Sequence, residues 1–250
     1  MIKEQLHTIP VNDAIAEAGE CPFCYMERKS EERMLDFVLG ASASYMEADI
    51  RDQTDRAGFC RQHFKKMFDY GNALGNAWIL KTHLKKQLEE FEAIAQKARP
   101  IRKKSLFSKE EEGAFTKWER EREQSCYICD TLKSSFESYL DTFLGLYQKD
   151  PDFKDQVLKG KGFCLTHFTK LLSAADRKLK PEELNEFYRV MLPFEAEQLK
   201  RVYEDVAWFI EKYDYKNKDA PWKDSRDANQ RGMQKLKGAD PSLPPYVMKK

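Results

Sequence analysis

The sequence predicts an all-α fold: two internally duplicated helical units, each with a Cys3His metal site. Three observations predict it. The 250 residues are 34% charged and 41% hydrophobic, with only 11 glycines and 10 prolines, and the abundance of Lys, Glu, Leu and Ala favours helices over sheets. Two stretches match each other at a shift of 105 residues, then 104 after a one-residue gap. All six cysteines and two of the four histidines fall inside those stretches.

The match comprises twelve identities. Cys21, Cys24, Leu35, Asp36, Leu39 and Gly40 answer to Cys126, Cys129, Leu140, Asp141, Leu144 and Gly145. After the gap, Gly58, Phe59, Cys60, His63, Phe64 and Lys66 answer to Gly162, Phe163, Cys164, His167, Phe168 and Lys170. Order and spacing both repeat, which chance does not produce. The chain therefore divides into a first helical unit over 1–97, a charged linker over 98–124, a second unit over 125–215, and a polar tail with a short helix over 216–250.

Each copy reads as helices. Phe136, Tyr139, Leu140, Phe143, Leu144 and Tyr147 recur at helical spacing, and Met34, Leu35, Val38 and Leu39 hold the equivalent places. Gly40 and Gly145 fit the residue after a helix end. A short helix follows in each copy; in the second it is capped by Asp150, opened by Pro151 and ended by Gly160. A third helix opens at Gly-Phe-Cys, with Phe64, Met67 and Phe68, or Phe168, Leu171 and Leu172, on its apolar face. A long helix closes each copy. In the first it spans about 76–97, with Ala77, Leu80, Leu84, Leu88, Phe91 and Ala95 on one side. In the second it runs from Pro181 to about Tyr213, and Pro193 should kink it. The linker holds a solvated helix around Lys109–Glu123, and the tail a helix over Ala228–Lys237 between Asp227 and Gly238.

The chemistry lies in the cysteines. Cys21-x2-Cys24 precedes Cys60-x2-His63 by 35 residues, and Cys126-x2-Cys129 precedes Cys164-x2-His167 by 34. Each set offers three thiolates and one imidazole, a usual structural zinc complement. Placed in first helical turns, side chains three apart share a face, and the unpaired N–H groups there favour thiolates. Sequential elements usually pack together, so each set is expected to close within its own copy, with Cys21 and Cys24 meeting Cys164 and His167 as the crossed alternative. Two zinc ions per chain are expected. An iron–sulfur cluster is the alternative cofactor, since three Cys and one His can hold one.

Four protein ligands leave no open position, which argues for structural rather than catalytic metal. Cys21-Pro22-Phe23-Cys24 also has the form of a redox dithiol, but no strand precedes it. Asp36 and Asp141 are candidates to receive a hydrogen bond from the ligand imidazoles, while His7 and His83 read as ordinary histidines. No metalloprotease, phosphate-loop or nucleophile-elbow motif occurs, so the sequence names no catalytic residue. A net charge of +1 calls for neither nucleic acid nor an anionic membrane. The basic run Lys97, Arg99, Arg102, Lys103, Lys104 reads as solvated linker. Without a signal-type segment or an apolar run long enough to span a bilayer, the expected location is cytoplasmic, where thiols stay reduced. The leading expectation is a non-enzymatic binding or adaptor scaffold with a protein partner. A thiol-based redox or metal sensor is the alternative.

The cysteine motifs resemble those of an uncharacterised bacterial domain-of-unknown-function family along nearly the whole chain. The resemblance also rests on Thr8-Ile9-Pro10-Val11-Asn12-Asp13-Ala14 and on Asp214-Tyr215-Lys216-Asn217-Lys218-Asp219-Ala220-Pro221-Trp222. It implies a cytoplasmic bacterial protein and brings no activity.

Overall fold

The computed structural model describes residues 7–17, 19–41, 45, 47–99 and 112–239. Among them are eleven α-helices and no strand: α1 (Ile9–Ala16), α2 (Pro22–Leu39), α3 (Ala48–Ala57), α4 (Arg61–Tyr70), α5 (Ala73–Lys97), α6 (Ala114–Glu123), α7 (Tyr127–Lys149), α8 (Pro151–Lys159), α9 (Leu165–Lys178), α10 (Pro181–Glu211) and α11 (Ala228–Lys237). The described residues form two compact units. One takes those of Met1–Ser30 and Ser134–Pro244, the other those of Glu31–Lys133. The boundaries fall inside α2 and α7, so packing divides the chain differently from the order of the matching stretches.

The first unit is built on aromatic rings. Phe23, Phe143, Phe163 and Phe187 are fully buried, and the Phe23 ring lies 5.3–5.6 Å from those of Phe136, Phe143 and Phe163. Burying one such side chain contributes roughly 1.5–3 kcal/mol. The helical rhythm of α7 points into this core through Phe136, Leu140, Phe143, Leu144 and Tyr147. Gly145 lies inside α7, which continues to Lys149, so it is not a helix end as its pairing with Gly40 suggests. Apolar residues on both sides of it hold the helix against its low propensity. Asp150 does cap α8, accepting from the backbone N–H of Asp152 and Phe153. Pro193 sits within α10, which runs on to Glu211.

The tail is not a free polar segment. Helix α11 has the expected bounds and packs on α9 and α10. Its Lys235 is 1% exposed. The ammonium donates to the carbonyls of Glu20 at 2.9 Å and Phe163 at 3.2 Å and to that of Lys161, and it faces the Glu20 and Glu195 carboxylates at 3.5 and 4.0 Å. A buried ammonium needs this many acceptors to offset its lost hydration.

The second unit gathers Leu35, Val38, Leu39, Phe59, Met67, Tyr70, Ile79 and Ile128. Helix α5 packs on α3 and α4 through the side bearing Gly75 and Ile79. Thr82 donates to the Asp55 carboxylate and His83 to the Asp55 carbonyl on α3. The predicted apolar side of α5 therefore faces outward: Leu80, Leu84, Leu88 and Phe91 are all exposed, as is Phe68 of α4. Helix α6 leans on α5 through Phe91 and Phe115, 4.9 Å apart, and through Glu90, which holds Trp118 and Arg122 at 3.0 Å. The expected linker residues Ile101, Arg102, Lys103, Lys104, Leu106, Phe107 and Lys109 lie outside the described residues.

Candidate metal centres

Each knuckle is a helix start. Cys21 immediately precedes α2, Cys60 α4, Cys126 α7 and Cys164 α9. The second ligand of each pair falls three residues on, in the first turn. At Cys164 the sulfur accepts the His167 backbone N–H at 3.4 Å, and at Cys126 it accepts that of Cys129 at 3.5 Å. These sulfurs occupy the place a serine or aspartate oxygen takes in an ordinary N-cap. The spacing therefore serves twice: it caps the helix and aims two ligand atoms at one point.

The Gly-Phe-Cys motif has its own cause. Gly58 and Gly162 have φ of +63° and +76°, a region that favours glycine. A β-carbon would meet the His83 ring at 2.8 Å from Gly58 and the Glu195 carboxylate at 2.5 Å from Gly162. That same carboxylate accepts the Phe163 backbone N–H at 2.9 Å. The glycines let polar side chains, half-buried His83 and buried Glu195, approach the backbone just before the ligands.

Two groups of four ligand residues result: Cys21, Cys24, Cys164 and His167, and Cys60, His63, Cys126 and Cys129. Within each, all ligand atoms lie within 4.8 Å of one another, and each group can hold a metal ion. The groups are crossed, not closed within each copy as sequential packing suggests. The reason is in the units: the start of α2 packs with α9, and the start of α7 with α4. All eight predicted ligand residues are brought together, and no cysteine is left over.

The geometry fits a single tetrahedral ion. With metal–sulfur bonds of about 2.3 Å and metal–nitrogen bonds of about 2.05 Å, tetrahedral edges are about 3.8 Å between sulfurs and about 3.6 Å between sulfur and nitrogen. Cys24 and Cys164 stand 3.8 Å apart, as do Cys60 and Cys129, far beyond the ~2.05 Å of a disulfide. His167 Nδ1 lies 3.5, 3.4 and 3.2 Å from the sulfurs of Cys21, Cys24 and Cys164. His63 Nδ1 lies 3.2, 3.3 and 3.4 Å from those of Cys60, Cys126 and Cys129.

Both imidazoles turn Nδ1 inward and give Nε2 to a carboxylate. His63 meets Glu31 at 2.9 Å and His167 meets Glu27 at 3.2 Å. Such partners orient ligand histidines and raise their basicity. They are not the aspartates the repeat suggests: Asp36 accepts from Tyr70 and Asp141 from Lys178. Glu27 and Glu31 both lie on α2, and position 132, which answers to Glu27 in the repeat, is leucine. Sequence matching between the stretches could not find this pair, because only one stretch carries it. Lys66 and Lys170, which the matching does align, pair with Glu31 and Glu27.

Without metal the groups hold protons unevenly. Burial lowers the His63 imidazole, but hydrogen bonds to Cys126 and Glu31 outweigh it and lift the group to about 10. The same balance at His167, with Cys164, Cys24 and Glu27 as partners, lifts it to about 11. Burial raises the Cys126 thiol, yet His63 and backbone N–H groups bring it down to about 6. Hydrogen bonds from Cys21 and Cys24 hold Cys164 far below the usual thiol range. Burial pushes Cys21 and Cys129 up. Each metal-free group thus contains a thiolate–imidazolium pair beside protonated thiol, and a metal must displace those protons to bind.

The family described as a family of unknown function, DUF6062, matches residues 2–242. The chain belongs to this family. No curated protein and no solved structure matches it. DUF6062 brings no activity to the site, so the chemistry of the two centres must be argued from their own geometry. Among the described residues no helix is long and apolar enough to cross a membrane.

Proposed function

We propose that this DUF6062 protein is a non-enzymatic binding or adaptor scaffold whose two Cys3His centres each hold one structural zinc ion. The carrying observation is the convergence of four ligand atoms in each group within 4.8 Å, with sulfur–sulfur separations of 3.8 Å at a tetrahedral edge and sulfur–nitrogen separations of 3.2–3.5 Å just below one. A two-iron cluster divides its ligands between two metal atoms and needs wider cross-pair distances, so ligand atoms all within 4.8 Å favour a lone ion. Four protein ligands complete its shell, leaving no coordination site for substrate. Structural zinc contributes roughly 10–16 kcal/mol in small finger peptides, against a net domain stability of roughly 5–15 kcal/mol. Each ion would staple two helix starts from distant parts of the chain.

The crossed ligand sets also support an internal duplication. In an internally duplicated chain, each copy can lend its CxxC helix to the other copy's CxxH helix, as identical subunits do in an exchanged dimer. Six thiols serving as ligands suit a reducing compartment, and we place the protein in the cytoplasm.

Elemental analysis of the native protein, purified without added metal, tests this reading. Two zinc ions per chain, no visible absorption, and loss of helical circular dichroism on chelation are expected. Iron with inorganic sulfide, or full helicity after complete chelation, would overturn it.

A further inference from the structure

Helix α5 is amphipathic in the wrong sense for a buried helix. At 100° per residue, Gly75, Ile79, Thr82, His83, Lys86 and Glu90 form the side turned toward the unit. Leu74, Ala77, Leu84, Leu88 and Ala95 lie on the opposite side, with Phe91 at its edge, half covered by Phe115 of α6. Leu74, Leu84 and Leu88 are 57–68% exposed. An apolar stripe of this length on a monomer's surface marks an interaction site.

The stripe repeats with a heptad rhythm. Leu74, Lys81, Leu88 and Ala95 fall seven apart, as do Ala77, Leu84 and Phe91. That is the seam of a two-helix coiled coil. Its flank adds a direction. Lys85 and Glu92 lie side by side along one edge, the base toward the start of the helix and the acid toward its end. A parallel copy would set Lys85 beside Leu80 and Glu92 beside Gln87, pairing no charges. An antiparallel copy sets Lys85 against Glu92, and the two-fold axis repeats the pair. The same register places Leu88 against Phe91 and Leu84 against Ala95. In that register the two helices overlap over residues 82–97, so Leu84, Leu88, Phe91 and Ala95 form the seam and Lys81 meets only the partner's helix end.

We propose that the occupant of this face is a second copy of the chain, joined through an antiparallel α5–α5 pair. The inference goes beyond the zinc reading and uses no metal ligand. Sedimentation equilibrium of the full-length, metal-replete protein tests it. A mass twice the chain's 29.4 kDa is expected. Leu84→Glu with Leu88→Glu should give the monomer mass while zinc content and circular dichroism stay unchanged, since both side chains are exposed in the single chain. Lys85→Glu and Glu92→Lys should each weaken dimerisation by about tenfold or more, and the two together should restore it. A wild-type monomer up to high micromolar concentration would overturn the proposal, as would a leucine variant that stays dimeric. A double charge swap no better than the single swaps would overturn the antiparallel pairing.

Discussion

The two centres share ligand types, spacing and helix-start geometry, and differ in how far solvent reaches them. In the Cys21 centre all four ligand residues are buried. The backbone N–H of Ala239 donates to Cys24 Sγ at 3.3 Å, and Lys235 ties together the carbonyls of Glu20 and Phe163, each adjacent to a ligand cysteine. In the Cys60 centre Cys129 is exposed and Cys60 half-buried. The first lies under Lys235 and Ala239 of the segment that follows α10. A metal site can therefore keep its ligands and change its accessibility through a segment that supplies no ligand.

The largest expected effect separates a site embedded in a core from one at a surface. Cys164→Ser and Cys129→Ser should each lower bound zinc from two per chain to one. Cys164 is fully buried among Phe23, Phe163 and His167, so its loss should abolish much of the cooperative thermal transition, a cost of several kcal/mol. Cys129→Ser should leave the Phe23 core folded and shift the transition far less. In the wild type, a strong chelator should remove zinc in two phases, the fast one from the Cys60 centre. Alkylation during that phase should mark Cys129 and Cys60 before Cys21, Cys24 or Cys164. A single phase, or the reverse labelling order, would erase the distinction.

Lys235→Met sharpens the same comparison. It leaves the buried Glu195 carboxylate without its cation, while Glu20 keeps Arg201 at 2.6 Å; breaking a buried pair typically costs about 3–5 kcal/mol. Urea unfolding should show that loss, and the slow phase of zinc release should accelerate toward the fast one. If the slow phase is unchanged, α11 does not govern access to the Cys21 centre.

Acid should empty both centres. The imidazoles of the metal-free groups lie near 10 and 11, so below those values each holds a proton that zinc must expel. Affinity therefore falls as pH falls, by about tenfold per pH unit for each displaced proton. A titration with a competing zinc indicator between pH 8 and pH 6 reads the slope. A flat profile would mean that no proton leaves on binding.

Much of this was legible in the sequence. Spacing picked out all eight residues that gather in the two groups, because side chains three apart in a first helical turn converge whatever surrounds them. The cap of α8 was legible for the same local reason, since Asp150 accepts from its first turn; Asp227 and Gly238 bracket α11, but the Asp227 carboxylate accepts from Arg231 and caps nothing. Pairing was not, since it depends on which helices pack, and the preference for sequential neighbours fails where elements of two matching stretches exchange. The outward face of α5 was missed because its apolar rhythm is that of any buried helix, while its packed side works through Gly75, Thr82 and His83, which do not stand out as core. The tail composition concealed Lys235, whose burial follows from carbonyls supplied by residues 20, 161 and 163.

The smallest effect runs against the accessibility difference and so tests a separate property. Glu31, 15% exposed, lies 2.9 Å from His63, whereas Glu27, 43% exposed, lies 3.2 Å from His167. Losing such a partner typically costs 10–100-fold in metal affinity, and solvent screening weakens the more exposed one. Glu31→Gln should thus cost the Cys60 centre near the upper end of that range, and Glu27→Gln should cost the Cys21 centre near or below the lower end. Competition titrations of the two variants at one pH would show it. The centre that solvent reaches more easily is then the one more dependent on its carboxylate. Equal losses would mean that the imidazoles are oriented by packing, such as the stacking of Phe136 on His167 at 4.9 Å, and not by their carboxylates.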